Sequence, residues 1–142
     1  MTFQLPAPLR RYEVALEDGA AIRARTYGNQ AGARILMSHG NGFAVDAYYP
    51  YWRQFLPDFE LVIFDFRNHG QNTPANPPNH TYEQLTRDLE RVFQTTQTEL
   101  GAKPTIGIFH SMSARTAMKH AIEVGWRWSG LILFDPPDVP PP

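Results

Sequence analysis

The 142-residue chain contains no cysteine, which excludes a disulfide framework, a thiolate nucleophile and a cysteine-ligated zinc site. It also lacks an excess of charge of either sign, because 13 Lys and Arg residues face 14 Asp and Glu residues. The formal net charge of −1 favours neither nucleic acid nor an anionic membrane surface as a partner. Long apolar runs are missing as well, and none approaches the roughly 18 residues that a membrane span needs.

No secretory signal is visible, because "MTFQLPAPLRRYEV" has no basic segment followed by an apolar core. We therefore expect a cytoplasmic protein. What is present is the composition of a soluble globular domain, with 42% hydrophobic and 19% charged residues. The length suffices for one domain with one hydrophobic core.

The strand pattern begins with a hairpin. "RYEVALEDGAAIRARTYG" predicts two strands joined at Asp18-Gly19, a dipeptide that favours a tight turn. Short apolar runs with little polar alternation follow, and such runs are typical of a parallel sheet that is covered on both faces. These runs are "RILMSHG", "ELVIFDFR", "PTIGIFHS" and "GLILFDPP".

Between these runs, apolar residues at spacings of three and four predict helices. The first follows Asp46, and its apolar face consists of Tyr48, Tyr49, Trp52, Phe55 and Leu56. The second begins at a capping-box pair, Thr81 and Gln84. Its apolar stripe consists of Leu85, Leu89, Val92, Phe93 and Leu100, and Asp88 is expected to point away from that stripe. The third runs from about Ser111 to Val124, before Gly125, with Ala114, Ala117, Met118 and Ala121 facing inward.

The order of elements is a hairpin, three strand–helix units and a last strand. It predicts an α/β fold with a mainly parallel sheet, an antiparallel N-terminal hairpin and helices on both faces. The closing "DPPDVPPP" is neither helix nor sheet. We therefore divide the chain into a core, residues 1–135, and a proline-rich linker, residues 136–142, toward a segment absent from this chain.

Polar and glycine residues follow the predicted parallel strands, at the sheet edge where open α/β sheets bind ligands. Ser111 follows one strand and opens a helix, where a strained turn can lift a serine above the sheet. The Met112 amide would then face a developing oxyanion, helped by the helix N-terminus. A second amide is expected from "HGNG" (39–42), with Asn41 first and Gly42 next.

Three of these segments resemble the α/β-hydrolase superfamily in order and spacing, from about residue 12 onward. They are "HGNGF", "DFRNHGQN" and "HSMSA". The resemblance implies that Ser111 is the acyl-accepting nucleophile of a serine hydrolase, that Met112 and Asn41 form the oxyanion hole, and that no metal or cofactor is used. His39 would orient the glycine loop, while Asp65, Arg67 and His69 would form a structural network.

The chain departs from the superfamily pattern at two points. Phe109 stands where Gly-x-Ser-x-Gly has its first glycine, so neighbouring residues must make room for it. The superfamily's triad order is Ser, acid, His, yet the only later histidine, His120, lies roughly 13 Å along the helix that Ser111 starts. We therefore expect the N-terminal part of a hydrolase core, ending after the sixth strand and inactive alone.

Structural and non-catalytic interpretations of these residues also stay open. Ser111 could simply cap a helix, "HGNG" could be an ordinary turn, and Asp135 and Asp138 could only end a strand. The chain could also be a non-catalytic ligand-binding module, or a small flavodoxin-like domain. As partners we expect a small, apolar acyl substrate and a C-terminal segment or second chain that completes the fold.

Overall fold

The computed structural model of the protein describes residues 4–138, so the end of the predicted linker, residues 139–142, lies outside the described residues. Three strands come first along the described residues, and helical segments then separate each of the following strands. The strands are β1 (Arg10–Ala15), β2 (Ala21–Gly28), β3 (Arg34–Met37), β4 (Glu60–Phe64), β5 (Thr105–His110) and β6 (Gly130–Phe134). The α-helices are α1 (Tyr49–Trp52), α2 (Tyr82–Leu100) and α3 (Met112–Glu123).

The strands form one mixed sheet in the order β1-β2-β4-β3-β5-β6. β1 and β2 form the N-terminal hairpin, and β2 pairs antiparallel with β4. β4, β3, β5 and β6 run parallel to one another. The predicted fold class is therefore confirmed, and the carboxyl ends of the four parallel strands lie at one edge of the sheet.

The helix predicted after Asp46 is shorter than expected. Residues 45–55 form a succession of 3-10, α and 3-10 turns, of which α1 contributes only four residues. Trp52 is the one fully buried aromatic residue of the predicted apolar face. Its indole N–H donates to the Val45 carbonyl at 3.1 Å within the same segment, and its ring packs in a cluster with Ile35 and Leu61 of the sheet.

Helix α2 begins as predicted, because the Thr81 hydroxyl accepts a hydrogen bond from the Gln84 N–H at 3.2 Å. The second half of the capping box is absent, since the Gln84 side chain instead donates to Asp88 at 2.9 Å. Asp88 is buried, which corrects the expectation that it points away from the core. The predicted apolar stripe is correct and packs in the core.

Helix α3 presents Ala114 and Ala117 to the sheet, as predicted. Met118 is 41% exposed, so its predicted inward orientation is wrong. Trp128 packs against Phe93 and Phe109, whereas Trp126 is exposed. No helix within residues 4–138 has the length and apolar character needed to cross a membrane.

Phe109 is accommodated by a glycine two residues earlier on β5. A Cβ added to Gly107 would lie 2.6 Å from a Phe109 ring carbon and 2.6 Å from a Leu131 methyl carbon. The missing side chain at Gly107 therefore makes the room that the large ring requires, and Phe109 is almost fully buried. The departure from the small-residue pattern is thus compensated on the same strand.

A buried arginine joins three parts of the chain. Arg67 donates to Asp88 on α2 at 2.5 Å and to Asp18 in the hairpin loop at 2.7 Å. Burial alone would lower the pKa of Arg67, but the two carboxylates raise it above its ordinary value. The guanidinium in turn holds the pKa of Asp18 well below its usual range. Arg67 is therefore a permanent cation inside the fold.

Replacing Arg67 with methionine should lower the free energy of unfolding by about 3–5 kcal/mol, because it leaves the buried Asp88 carboxylate without its cation. The matched control is Arg87→Met, which removes the half-exposed pair with Glu17 and should cost at most about 1 kcal/mol. Urea unfolding of the complete protein measures both values. Equal losses for the two variants would contradict the structural role given to Arg67.

Candidate active site

The loops that follow the parallel strands converge at one edge of the sheet. Residues 38–43 follow β3, residues 65–72 follow β4, and Ser111 lies between β5 and α3. This edge therefore gathers the segments that the sequence analysis singled out.

Ser111 lies in a tight turn with φ 52° and ψ −112°, a left-handed conformation that is rare outside glycine. Its N–H donates to the Phe134 carbonyl at the end of β6, at 2.9 Å. Its side chain makes no capping hydrogen bond to α3, which argues against the simple helix-cap interpretation. The neighbouring Ser113 hydroxyl instead bonds both the N–H and the carbonyl of His110.

The glycine loop lies directly against this turn. A Cβ added to Gly40 would be 3.2 Å from the Ser111 Cβ and 3.1 Å from the His110 Nδ1. A side chain at Gly40 would press on the His110 and Ser111 side chains, so glycine suits this close approach. The structure therefore brings Gly40 of the glycine loop against the turn that carries Ser111.

The two candidate amides of the loop differ in their hydrogen bonding. The Gly42 N–H donates to His69 Nε2 at 3.1 Å. Within residues 4–138, no hydrogen bond uses the Asn41 N–H, while the Asn41 side chain lies 3.2 Å from His80 Nε2. Met112 is the first residue of α3, so its N–H has no acceptor within that helix.

Hydrogen bonds fix the protonation of His39 and His69. His39 Nε2 accepts the Phe66 N–H at 3.0 Å, so its proton sits on Nδ1 and is donated to the Gly40 carbonyl at 2.8 Å. His69 Nε2 accepts from Gly42, so its Nδ1–H donates to the Arg67 carbonyl at 2.8 Å. Each nitrogen of both rings is bonded to a backbone group, so neither ring has a nitrogen free for proton transfer.

The Asp65 carboxylate, in the loop after β4, accepts the Val45 N–H at 2.7 Å and so fixes the start of the segment 45–55. A Cβ at Gly70 would lie 2.1 Å from that carboxylate, so this position requires glycine. Asn68 adopts φ 64°, a conformation that asparagine tolerates better than most residues other than glycine. Its side-chain amide also donates to the Pro78 carbonyl at 2.9 Å.

His120 belongs to a separate cluster. It is fully buried on α3, where its Nε2 lies 2.5 Å from Glu90 of α2, and Glu90 also pairs with Arg127 at 2.6 Å. Burial lowers the pKa of His120, although the Glu90 carboxylate opposes that shift. The structure thus assigns His120 to the contact between α2 and α3.

An open cavity of about 540 Å³ adjoins the turn that carries Ser111. Apolar and aromatic side chains form most of its wall, and Asp135, which has a positive φ of 49°, lies at its rim. Ser111 does not line the cavity, but His110, the residue before it, does. The lining residues are Met37, Ser38, Ala47, Tyr48, Pro50, Tyr51, Ile108, Phe109, His110, Phe134 and Asp135.

Sequence reasoning missed one polar residue at this edge. It placed Tyr48 in an apolar helix face, whereas the Tyr48 hydroxyl lies 3.0 Å from the Gly40 N–H and 2.6 Å from His110 Nδ1. No local pattern signals a contact that spans 62 residues of chain. Sequence reasoning also did not identify Gly107 as the residue that leaves space for the Phe109 ring. Its position two residues before Phe109, on the same face of the strand, could have indicated this role.

A mixed sheet with a strand–serine–helix turn beside a glycine loop defines the α/β-hydrolase class. Residues 29–138 match the family described as serine aminopeptidase, S33, which is well over half of the chain. The chain therefore belongs to this family of α/β hydrolases. The family match rests on sequence, and the sheet order independently supports the same class.

Solved structures with the same fold include an esterase from Exiguobacterium antarcticum, with 22% identity and a TM-score of 0.74 over 85% of this chain. A thermostable carboxyl esterase from Bacillus coagulans has 20% identity and a TM-score of 0.74 over 87% of this chain. A bacterial membrane phospholipase A has 19% identity and a TM-score of 0.76 over 93%. This chain spans only 43%, 43% and 41% of those three chains.

The buried neutral state of His39 predicts a loss of stability in acid. Burial lowers the pKa of His39, against the opposing effects of the Gly40 carbonyl and Asp65. The stabilisation from the neutral ring is fully present above pH 6.5, the ordinary pKa of histidine in the unfolded chain. It is lost as the pH falls from 6.5 through the lower pKa that His39 has in the folded protein. Unfolding free energy, measured from pH 8 to pH 5, should therefore decline below about pH 6.5.

The matched variant is His39→Gln, whose amide can donate and accept but does not titrate. Its unfolding free energy should fall less than that of the wild type over the same pH range. The difference in the loss should be about 1.4 kcal/mol for each unit by which folding lowers the pKa of His39. An unchanged slope would show that His39 is not held neutral in the fold.

Proposed function

We propose that the protein is a serine hydrolase that cleaves an ester, thioester, amide or activated C–C bond through an acyl-enzyme. The observation that carries the proposal is the left-handed backbone of Ser111 beside the close approach of Gly40. In this proposal the turn is a nucleophile elbow, which exposes the serine hydroxyl at the top of the sheet. Ser111 Oγ attacks the substrate carbonyl, and the leaving group departs with a proton.

The oxyanion hole is assigned to the backbone amides of Met112 and Asn41. The Met112 N–H is free of helix bonding, and its position at the start of α3 adds the favourable potential of the helix N-terminus. Asn41 is preferred to Gly42 because the Gly42 N–H already donates to His69. Each donor in such a hole contributes roughly 10²–10³ in rate.

A histidine outside this chain takes the serine proton, and an acid outside this chain orients that histidine. The contacts of the described histidines support this assignment. The ring nitrogens of His39 and His69 are all committed to backbone groups, and His120 pairs with Glu90 between α2 and α3. His80 Nε2 lies 3.2 Å from the Asn41 side chain, and His110 Nδ1 lies 2.6 Å from the Tyr48 hydroxyl. Both precede Ser111, contrary to the Ser, acid, His order of the superfamily.

A C-terminal segment or second chain is the proposed source of both groups. Support comes from the edge strand β6, where Ile132 is 46% and Phe134 is 44% exposed on the face that borders the cavity. This chain spans only 43% of each of the two similar esterase chains. A small substrate with an apolar acyl group would suit the aromatic wall of the 540 Å³ cavity. A cytoplasmic location stays a prediction from the sequence.

A fluorophosphonate probe tests the nucleophile on the complete protein. We expect a single covalent adduct on Ser111, found by mass spectrometry of peptides, and no adduct in Ser111→Ala. The matched control is Ser129→Ala, an exposed serine on the other edge of the sheet, which should label like the wild type. A wild-type protein that fails to label would favour a non-catalytic ligand-binding module instead.

The chain of residues 1–142 should be inactive without its missing base. Purified and checked for folded secondary structure by circular dichroism, it should hydrolyse a p-nitrophenyl ester no faster than its Ser111→Ala variant. Enzyme-like turnover that disappears in Ser111→Ala would mean that the base lies on this chain.

A further inference from the structure

The Tyr48 hydroxyl joins two segments that the proposed reaction needs side by side. It lies 3.0 Å from the backbone nitrogen of Gly40, in the glycine loop, and 2.6 Å from Nδ1 of His110. His110 is the residue immediately before Ser111, and Gly40 is the residue immediately before Asn41. One oxygen atom thus contacts the neighbour of the proposed nucleophile and the neighbour of a proposed oxyanion donor.

The chemistry of the three groups sets the direction of these hydrogen bonds. The Gly40 N–H can only donate, so the Tyr48 oxygen is its acceptor. We assign the single hydroxyl proton to the contact with His110 Nδ1, at 2.6 Å. In this assignment His110 carries its proton on Nε2. Its tautomer is opposite to that of His39 and His69, which carry theirs on Nδ1.

The surroundings hold this arrangement in place. The Phe43 ring packs edge-on against Tyr48, with centroids 6.3 Å apart, and lies 6.4 Å from the His110 ring. The Phe43 N–H donates to the Gly40 carbonyl at 3.1 Å, which closes the glycine loop. Ser113 fixes the other side of His110 by bonding its backbone. The tyrosine is consequently the one side chain in residues 4–138 that hydrogen-bonds both the loop and His110.

We propose that Tyr48 is a positioning residue that sets the distance between Ser111 and the Asn41 amide through its two hydrogen bonds. The inference rests on the proposed acyl-transfer function. Without the hydroxyl, the glycine loop keeps its van der Waals contact with the turn but loses the bond that orients the Gly40–Asn41 backbone. Displacement of a reacting group by even 1 Å can reduce a rate by about 10²-fold, so a smaller shift should still be measurable.

The test is Tyr48→Phe in the complete protein, compared with the wild type for turnover of a p-nitrophenyl ester and for the rate of fluorophosphonate labelling. We expect kcat and the labelling rate to fall by about tenfold, with KM changed less than about twofold, because the lost alignment acts in the transition state. The matched control is Tyr12→Phe, which removes a buried 2.7 Å hydroxyl bond to Thr96, away from the site. It should leave kcat and labelling unchanged.

Nitrogen-15 NMR of the histidine rings gives a readout that is independent of activity. In the wild type, the His110 signal should show an unprotonated Nδ1 and a protonated Nε2, and this preference should be lost in Tyr48→Phe. A wild-type His110 that carries its proton on Nδ1 would overturn the assigned hydrogen bonds.

The two proposals fail in different ways. Labelling of both wild type and Tyr48→Phe at the same rate would overturn the positioning role and leave the serine hydrolase intact. A wild-type protein that does not label at all would overturn the acyl-transfer function and the positioning role with it.

Discussion

Gly40 packs against the turn at His110 and Ser111 so closely that a Cβ would lie 3.1–3.2 Å from their atoms. This contact joins the loop after β3 to the turn after β5, two strands that are neighbours in the sheet. The turn also holds Ser111 in a left-handed conformation. In the proposed function, these two separate segments would supply the backbone N–H groups of the oxyanion hole. The proposed chemistry depends on that juxtaposition more than on any single functional group.

Polar residues around the site maintain this contact and leave proton transfer to other groups. His39 and His69 bond backbone groups of the glycine loop on one side and of the loop after β4 on the other. Asp65 adds a bond to Val45, and Arg67 ties the same region to the hairpin and to α2. The loops at this edge of the sheet are thereby held rigidly, which the proposed chemistry would require.

The sequence was sufficient for the fold because apolar runs, turn residues and their order are local signals. The strands, the Thr81 cap and the small inner face of α3 were all predicted correctly. The errors have a common cause in partners distant along the chain. Asp88 is buried because Arg67 reaches it, and Met118 is exposed because nothing in residues 4–138 covers it. The Tyr48 hydroxyl could not be assigned because its partner His110 is 62 residues away.

The most direct test of the account is a crystal structure of the complete protein with a phosphonate bound covalently to Ser111. The account predicts that the phosphoryl oxygen lies about 2.7–3.1 Å from the backbone nitrogens of both Asn41 and Met112. An adduct whose oxygen points away from the glycine loop, or accepts hydrogen bonds from neither amide, would contradict it.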